Sequence, residues 1–196
     1  DDSPETVLFD QTIKEATNAG ALVIVSAGNY ETDTENITPA NSPHAVAVAA
    51  YRNDGAICSF SDFGYKVDLA APGCAVQDGV EVSGILSLNS KKCGTTGQEY
   101  CAIRRAVGQN YSLKSGTSMA TPHAVGMAAV ALTANLDVNS AYLTPFQLRQ
   151  ALIRSAKSTV ASMDKREYRF GAGKLSGTNI IAEALKSPGV KITSPK

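Results

Sequence analysis

An extended, glycine-containing segment turns into an alanine-rich helix at Ser115-Gly116-Thr117-Ser118-Met119-Ala120-Thr121-Pro122-His123. The N-terminus of a helix carries unpaired amides and the positive end of the dipole, which favour negative charge developing beside the Ser118 hydroxyl. Pro122 cannot donate to the Ser118 carbonyl and crowds it, so we expect the first turn to distort there. Local chemistry leaves two interpretations open: Ser118 is a nucleophile, or Thr117 and Ser118 cap a core helix.

Apolar runs that precede this segment in the chain predict an α/β fold with a mainly parallel sheet. The β-branched and alanine-rich runs 21–25 and 45–51 are typical of strands that are buried on both faces of such a sheet. Two shorter strands are predicted at 55–60 and 66–69, where apolar residues are bounded by Asp, Asn or Gly.

Helices are predicted between and after these strands. The run 120–136 has no polar face, so we expect this helix inside the protein. An amphipathic helix over 4–18 precedes Gly20, and another over 144–156 begins with a capping Thr144 and with Pro145 in the first helical position. A Gly-rich turn and a last helix occupy 171–185.

Composition excludes several classes of function. The 196 residues carry 18 basic and 18 acidic side chains, so the formal net charge is zero and supplies no long-range field for nucleic acid or an anionic membrane. No apolar run approaches the ~20 residues of a membrane helix. With 43% hydrophobic residues the chain can bury a core, and its length indicates one domain or slightly more.

Six motifs make the chain similar to the subtilisin-like serine proteases. The first is the serine-containing segment quoted above, which resembles the family's active-serine motif. The others are Val25-Ser26-Ala27-Gly28-Asn29, Pro39-Ala40-Asn41-Ser42-Pro43, Ser59-Phe60-Ser61-Asp62-Phe63-Gly64, Val67-Asp68-Leu69-Ala70-Ala71-Pro72-Gly73 and Phe170-Gly171-Ala172-Gly173-Lys174-Leu175. They follow the family's order and cover nearly the whole chain. The resemblance implies a three-layer subtilisin-like α/β fold over residues 1–196, here lacking its N-terminal portion.

The resemblance also implies roles for individual residues. Ser118 is the nucleophile, and Asn29, helped by the Ser118 amide, is the side-chain donor of the oxyanion hole. An asparagine suits this task because its amide is a neutral donor at every relevant pH. The alternative for Asn29 is a loop residue that tolerates a left-handed conformation after Gly28. The substrate-binding wall comprises Ser26, Ala27, Gly28 and Thr117, whose small size favours bulky substrate side chains.

The rest of a catalytic triad is missing. The family's aspartate and histidine lie in segments that precede the Asn29 region, and neither segment occurs in this chain. Of the two histidines, His123 lies about 140° around the helix from Ser118 and is expected to be structural. His44 has no catalytic role in the resemblance. Asp62 falls where the family has a structural turn. We therefore expect a C-terminal section whose partner, the N-terminal section as a second chain or fragment, supplies both residues and covers the sheet edge.

The implied activity is hydrolysis of peptide bonds in proteins through an acyl-enzyme, by a secreted serine endopeptidase made as a zymogen. The alternative is an inactive pseudoprotease or binding module that retains only the serine half. Neither an organic cofactor nor a nucleic-acid or membrane partner is expected. Family members often hold a calcium or sodium ion with carbonyls of the proline loop and an aspartate. The corresponding residues are Ala40, Ser42, Ala45 and Asp68. Asp68 as an ordinary polar strand residue is the alternative. A cis Thr38–Pro39 bond is also implied.

Four cysteines, none in a Cys-x-x-Cys pair, favour disulfides in an oxidising compartment over a zinc site. The candidate pairs are Cys58–Cys74 and Cys93–Cys101. The second pair lies in 79–111, a segment without periodicity that we predict to be a long inserted surface loop, with room for a short strand at 84–88. Because this loop leads into Ser118, it is either an exosite for protein substrates or an insertion without function.

Overall fold

Three parallel strands form the central sheet of the structure, a computed structural model that describes residues 3–88, 106–107, 111–157, 167–187 and 189–191. Strands β1 (Val23–Ser26), β2 (Ala45–Tyr51) and β3 (Leu69–Pro72) lie in that order across the sheet. Val23 pairs with Ala45 and Val48 with Leu69. The predicted parallel sheet is confirmed, although β3 begins where the strand predicted at 66–69 should end.

The helices agree with the sequence in their positions. They are α1 (Pro4–Asn18), α2 (Thr117–Asn139), α3 (Pro145–Lys157), α4 (Glu167–Phe170), which was not predicted, and α5 (Gly177–Leu185). At the start of α3, Thr144 Oγ1 accepts from the Gln147 amide at 3.3 Å, and Gln147 Oε1 accepts from the Thr144 amide at 2.9 Å. This reciprocal capping box confirms the predicted start of the helix.

The sheet divides the core into two clusters. Side chains of Val46, Val48 and Leu69 point to one face, where they pack with α2, α3 and α5. Ala49 and Ala70 point to the other face, where a smaller cluster includes Phe170 of α4. This alternation follows from the two-residue period of a strand, and it buries six of the seven residues of β2, as its continuous apolar run predicts.

Two elements are less buried than predicted. All four residues of β1 are half-buried, because no strand among the described residues pairs with its outer edge. Helix α2 buries an alanine face, Ala120, Ala124, Ala128 and Ala131, against the rest of the core. On other sides of this helix, Val125 is 49% and Val130 is 39% exposed. The prediction of a wholly buried α2 is therefore wrong for the described structure.

Small β-elements surround the main sheet. Strands β4 (Ala75–Gln77) and β5 (Val80–Val82) pair with each other, and β8 (Tyr111–Lys114) lies between β6 (Ile85–Leu88) and β7 (Ala106–Val107). Another pair is β9 (Ala141–Tyr142) with β10 (Val190–Lys191). The described part of 79–111 thus contains strands as well as turns. Residues 55–60 form a turn with one bridge, Tyr51 to Ile57, instead of the predicted strand, because Asp54 caps the turn by accepting from the Ala56 amide.

The structure contains the predicted disulfide and the predicted cis peptide bond that fall among the described residues. Cys58 and Cys74 form a disulfide with 6.3 Å between their Cα atoms, and it joins the turn after β2 to the end of β3. Cys93 and Cys101 lie outside the described residues. The Thr38–Pro39 bond is cis. Among the described residues, no helix combines the length and the apolar character needed to cross a membrane.

Candidate active site

Thr117 joins the carboxyl end of β1 to the first turn of α2. Its backbone amide donates to Asn29 Oδ1 at 2.8 Å. Its hydroxyl accepts from the Gly28 amide at 3.3 Å and lies 3.1 Å from Asn29 Oδ1 and 3.2 Å from the Gly28 carbonyl, either of which can accept its proton. Thr117 is fully buried. The segment after β1 and the start of the serine helix are therefore held together by one side chain.

This contact fixes the direction of the Asn29 carboxamide. Because the Thr117 amide can only donate, the atom facing it must be the Asn29 oxygen, and the Nδ2 group is left as a donor on the exposed side. A β-carbon placed on Gly116 would lie 3.6 Å from Asn29 Oδ1 and 3.7 Å from the Ser118 amide nitrogen. The Asn29 oxygen and the Ser118 amide nitrogen thus both lie near Gly116, and the Ser118 side chain next to them is exposed.

A second contact anchors the turn that precedes Ser118. The Gly116 amide donates to the Gly73 carbonyl at 2.9 Å, and the Gly73 amide donates to the Tyr51 carbonyl at 3.0 Å. Gly116 has φ +148°, which favours glycine. A β-carbon on Gly73 would lie 2.9 Å from the Gly116 carbonyl oxygen, so the two backbones are in close contact. The start of α2 is thereby tied to the ends of β2 and β3.

A buried carboxylate lies beneath the Asn29 segment. Asp62 is completely inaccessible to solvent, and its Oδ1 accepts from the amides of Tyr30 at 2.7 Å and Thr32 at 3.0 Å. Its Oδ2 has no hydrogen-bond partner among the described residues, and a β-carbon on Gly28 would overlap it. Asp62 therefore braces the loop that carries Asn29, which agrees with the structural turn expected there.

Ser118 lies between two shallow clefts. One is bordered by Ile85, Leu86, Met119 and His123, and the other by Ile24, Ser26 and Val125. Of the predicted substrate-binding residues, Ser26 thus borders the same cleft as Ser118. The Ala27 side chain is fully buried with Ala49 and Ala70, so only its backbone is available to line a pocket.

Neither histidine is placed to serve Ser118 as a base. His123 Nδ1 lies 2.9 Å from the Met119 carbonyl one turn earlier, which agrees with the structural role predicted for it. His44 lies in the segment before β2, where its amide donates to Ser42 Oγ at 3.3 Å. Among the described residues, no hydrogen bond therefore joins either histidine to Ser118.

Of the residues expected to hold a cation, Asp68 has both carboxylate oxygens in contact with protein groups. Asp68 Oδ2 accepts from the Ala47 amide at 2.9 Å, and its Oδ1 pairs with the Arg149 guanidinium at 2.8 Å. No cluster of three or more His, Cys, Asp or Glu side chains that could hold a metal occurs among the described residues. The cation at Ala40, Ser42, Ala45 and Asp68 stays a prediction, and Arg149 competes for its place.

The fold and the position of the serine define an α/β protein of subtilisin-like architecture. Residues 2–173 match the subtilase family (Peptidase S8), and the chain belongs to that family of serine proteases. It is similar to an extracellular basic protease of Dichelobacter nodosus, with 31% identity over 78% of this chain and 22% of that protein. It is also similar to a cuticle-degrading serine protease of Arthrobotrys oligospora, with 36% identity over 60% of this chain and 23% of that protein.

Solved structures agree with this assignment. A protease from Pseudoalteromonas arctica superposes with a TM-score of 0.66 at 26% identity, covering 89% of this chain and 46% of that one. A lanthipeptide protease superposes with a TM-score of 0.72 at 21% identity, covering 92% of this chain and 55% of that one, which shows the shared fold. The chain spans about a quarter or less of these curated relatives and about half of these structures.

The sequence did not predict the supporting contacts of three residues, Thr117, Gly73 and Arg149. Thr117 was expected to line a pocket and instead holds Asn29. Gly73 was quoted only as part of a motif, although its neighbouring proline and its place at a strand end mark a turn. Arg149 carries no local signal, because it lies 81 residues from the aspartate that it pairs with.

Asp62 can hold the loop either as the acceptor of two amides or through its negative charge, and we predict that two substitutions distinguish these roles. Asp62→Ala removes the acceptor of two amides and should lower the free energy of unfolding by roughly 1–3 kcal/mol, the usual cost of unsatisfied groups. Asp62→Asn keeps an oxygen in the Oδ1 position and should retain most of that stability. Urea unfolding of both variants measures the difference. Equal losses in the two variants would show that the negative charge, and not the acceptor, holds the loop.

Proposed function

We propose that this chain is the serine-bearing C-terminal section of a secreted serine endopeptidase. Ser118 Oγ attacks the peptide carbonyl, and a histidine from the N-terminal section takes its proton while an aspartate orients that histidine. The amide nitrogen leaves with the proton, and water then hydrolyses the acyl-enzyme. The main support is the direction of the Asn29 carboxamide, because Thr117 holds its oxygen and leaves Nδ2 as its donor, and the Asn29 oxygen and the Ser118 amide both lie near Gly116.

Two donors at that place suit the chemistry of the reaction. The tetrahedral intermediate carries a negative oxygen, which the Asn29 Nδ2 group and the Ser118 amide stabilise without moving. As the second residue of α2, Ser118 has no earlier helical carbonyl for its amide. The Gly73 and Thr117 contacts hold both donors before substrate arrives.

The uncovered surface supports an N-terminal section as the missing partner. An apolar groove runs between β1 and α2, and the cleft at Ser118 continues through Ile24 and Val125 toward Leu22, Leu132 and Leu148. It adjoins the open edge of β1, where another parallel strand can pair. The curated relatives are about four times longer than the part this chain matches, so they contain sequence for such a section.

Secretion and a protein substrate are carried over from the relatives. One of them is named an extracellular protease and another a cuticle-degrading one. The Cys58–Cys74 disulfide fits an oxidising compartment. The competing proposal, a pseudoprotease or binding module, is favoured by His123, which borders the cleft at Ser118 but has its Nδ1 at the Met119 carbonyl.

A fluorophosphonate probe distinguishes the two proposals, since it reacts only with an activated serine. We expect the full protein that contains this chain to be labelled at Ser118, and Ser118→Ala to abolish labelling. Ser115→Ala is the matched control, because Ser115 is an exposed serine in the same segment and should leave labelling unchanged. A folded full protein that resists the probe would identify a binding module.

Replacing Asn29 tests the oxyanion hole. Asn29→Ala should lower kcat for a peptide amide roughly 10²- to 10³-fold with little change in KM, a magnitude measured in a subtilisin, which belongs to the same family. Asn29→Asp is the sharper variant, since it keeps an oxygen for the Thr117 amide but has no donor. We expect it to be at least as impaired as Asn29→Ala. Near-normal kcat in Asn29→Asp would mean that the Thr117 contact alone is what matters.

Expression of residues 1–196 alone tests the proposed partner. The open edge of β1 and the exposed apolar side of α2 should make this segment associate or fail to melt cooperatively. Expressing it together with the preceding section should give a soluble complex in size-exclusion chromatography. A monodisperse monomer with a cooperative melt from residues 1–196 alone would contradict the proposal.

A further inference from the structure

The Arg149 side chain links three parts of the fold at the end of the sheet opposite Ser118. From α3, its Nη2 pairs with Asp68 Oδ1 at 2.8 Å, and its Nη1 donates to the Pro43 carbonyl at 3.0 Å. Asp68 immediately precedes β3, and Pro43 lies two residues before β2. The side chains of Arg149 and Asp68 are 30% and 12% exposed, so the pair is largely shielded from solvent.

This is the place where the family resemblance predicts a calcium or sodium ion. The expected ligands were the Asp68 carboxylate and carbonyls of the proline loop, at Ala40, Ser42 and Ala45. In the structure, the guanidinium contacts that carboxylate and the carbonyl of Pro43, which belongs to the same loop but was not among the expected ligands. The other Asp68 oxygen accepts from the Ala47 amide at 2.9 Å.

These contacts do not fit an added metal ion. A hard cation needs several oxygen lone pairs directed at it, and one lone pair of each Asp68 oxygen is already used in a hydrogen bond. A metal bound to Oδ1 would also lie within a few ångströms of the guanidinium, where like charges in a shielded environment repel strongly. The metal and the present position of Arg149 therefore exclude each other.

We propose that the Arg149 guanidinium replaces a bound cation in this protein. It supplies the positive charge for Asp68 and a donor for the Pro43 carbonyl, and it joins α3 to the segments before β2 and β3. The planar guanidinium suits this task, because its fixed fork reaches a carboxylate and a carbonyl at once. Its Nε has no hydrogen-bond partner among the described residues, so the two Nη groups make the link.

The consequence concerns stability and is independent of the proposed catalysis. A bound ion stabilises a protein only in proportion to the logarithm of its free concentration, so chelation or dilution removes the effect. An arginine is part of the chain and cannot be removed in this way. The contribution that the Arg149 contacts make to the stability of the protein should therefore be the same with and without calcium or sodium.

Thermal unfolding of the full protein tests the proposal. All variants carry Ser118→Ala to prevent self-digestion, and choline chloride keeps the ionic strength constant while calcium chloride, sodium chloride or EDTA is varied. Because other parts of the full protein can bind ions, the quantity compared is the cation-induced shift in Tm with and without Asp68→Asn. We expect that shift to be equal in the two proteins. A shift that Asp68→Asn abolishes would overturn the proposal.

Substitution of Arg149 provides a second test of the proposal. Arg149→Met removes the charge at similar length and frees Asp68 Oδ1, so its Tm should fall by several degrees and calcium should restore part of the loss. That restoration should disappear in the double variant with Asp68→Asn. Arg149→Lys keeps a cation near Asp68 and should stay insensitive to calcium. If Arg149→Met folds but gains no calcium response by Tm or by calorimetric titration, the site has no capacity for a cation and the proposal is wrong.

Discussion

The contact between Thr117 and Asn29 is the constraint on which the rest of the site depends. It joins residues 88 positions apart, one after a parallel strand and the other at the start of a helix. Because the Thr117 amide can only donate, it leaves a single orientation for the Asn29 carboxamide. The left-handed turns at Gly28 and Gly116 allow the two segments to approach each other. A helix N-terminus and a strand end thereby become one pre-arranged donor site.

Local sequence signals accounted for elements whose stabilising contacts are also local. The start of α3 was predicted from the capping Thr144 and from Pro145, and the capping box that Thr144 forms with Gln147 lies within four residues. The buried strand β2 followed from its unbroken apolar run. Ser118 and Asn29 were identified because each lies in a short motif whose residue types already carry the chemistry. Of the predicted disulfides, Cys58–Cys74 joins cysteines that are only 16 residues apart.

Contacts between distant segments could not be predicted in this way. The apolar residues of α2 indicated burial, but a hydropathy pattern does not say whether the covering element belongs to the same chain, and Val125 is about half exposed. The partners of Asp62 lie 30 and 32 residues away, and Arg149 lies 81 residues from Asp68. Each of these side chains is an ordinary polar residue in sequence, and only the folded sheet shows what it contacts.

The two shielded aspartates, Asp62 and Asp68, have different kinds of hydrogen-bond partner, and the difference follows from their positions in the fold. Asp62 lies beneath the Asn29 loop and has only amide donors, Tyr30 and Thr32, on one oxygen. A full positive charge there would orient the loop less specifically than two amides whose positions are set by the backbone. Asp68 lies at the other end of the strands, where the task is to join α3 to the sheet, and a charged side chain from α3 does this directly. Backbone donors therefore hold the loop at the carboxyl end of β1, while an ion pair joins α3 to the opposite end of the sheet.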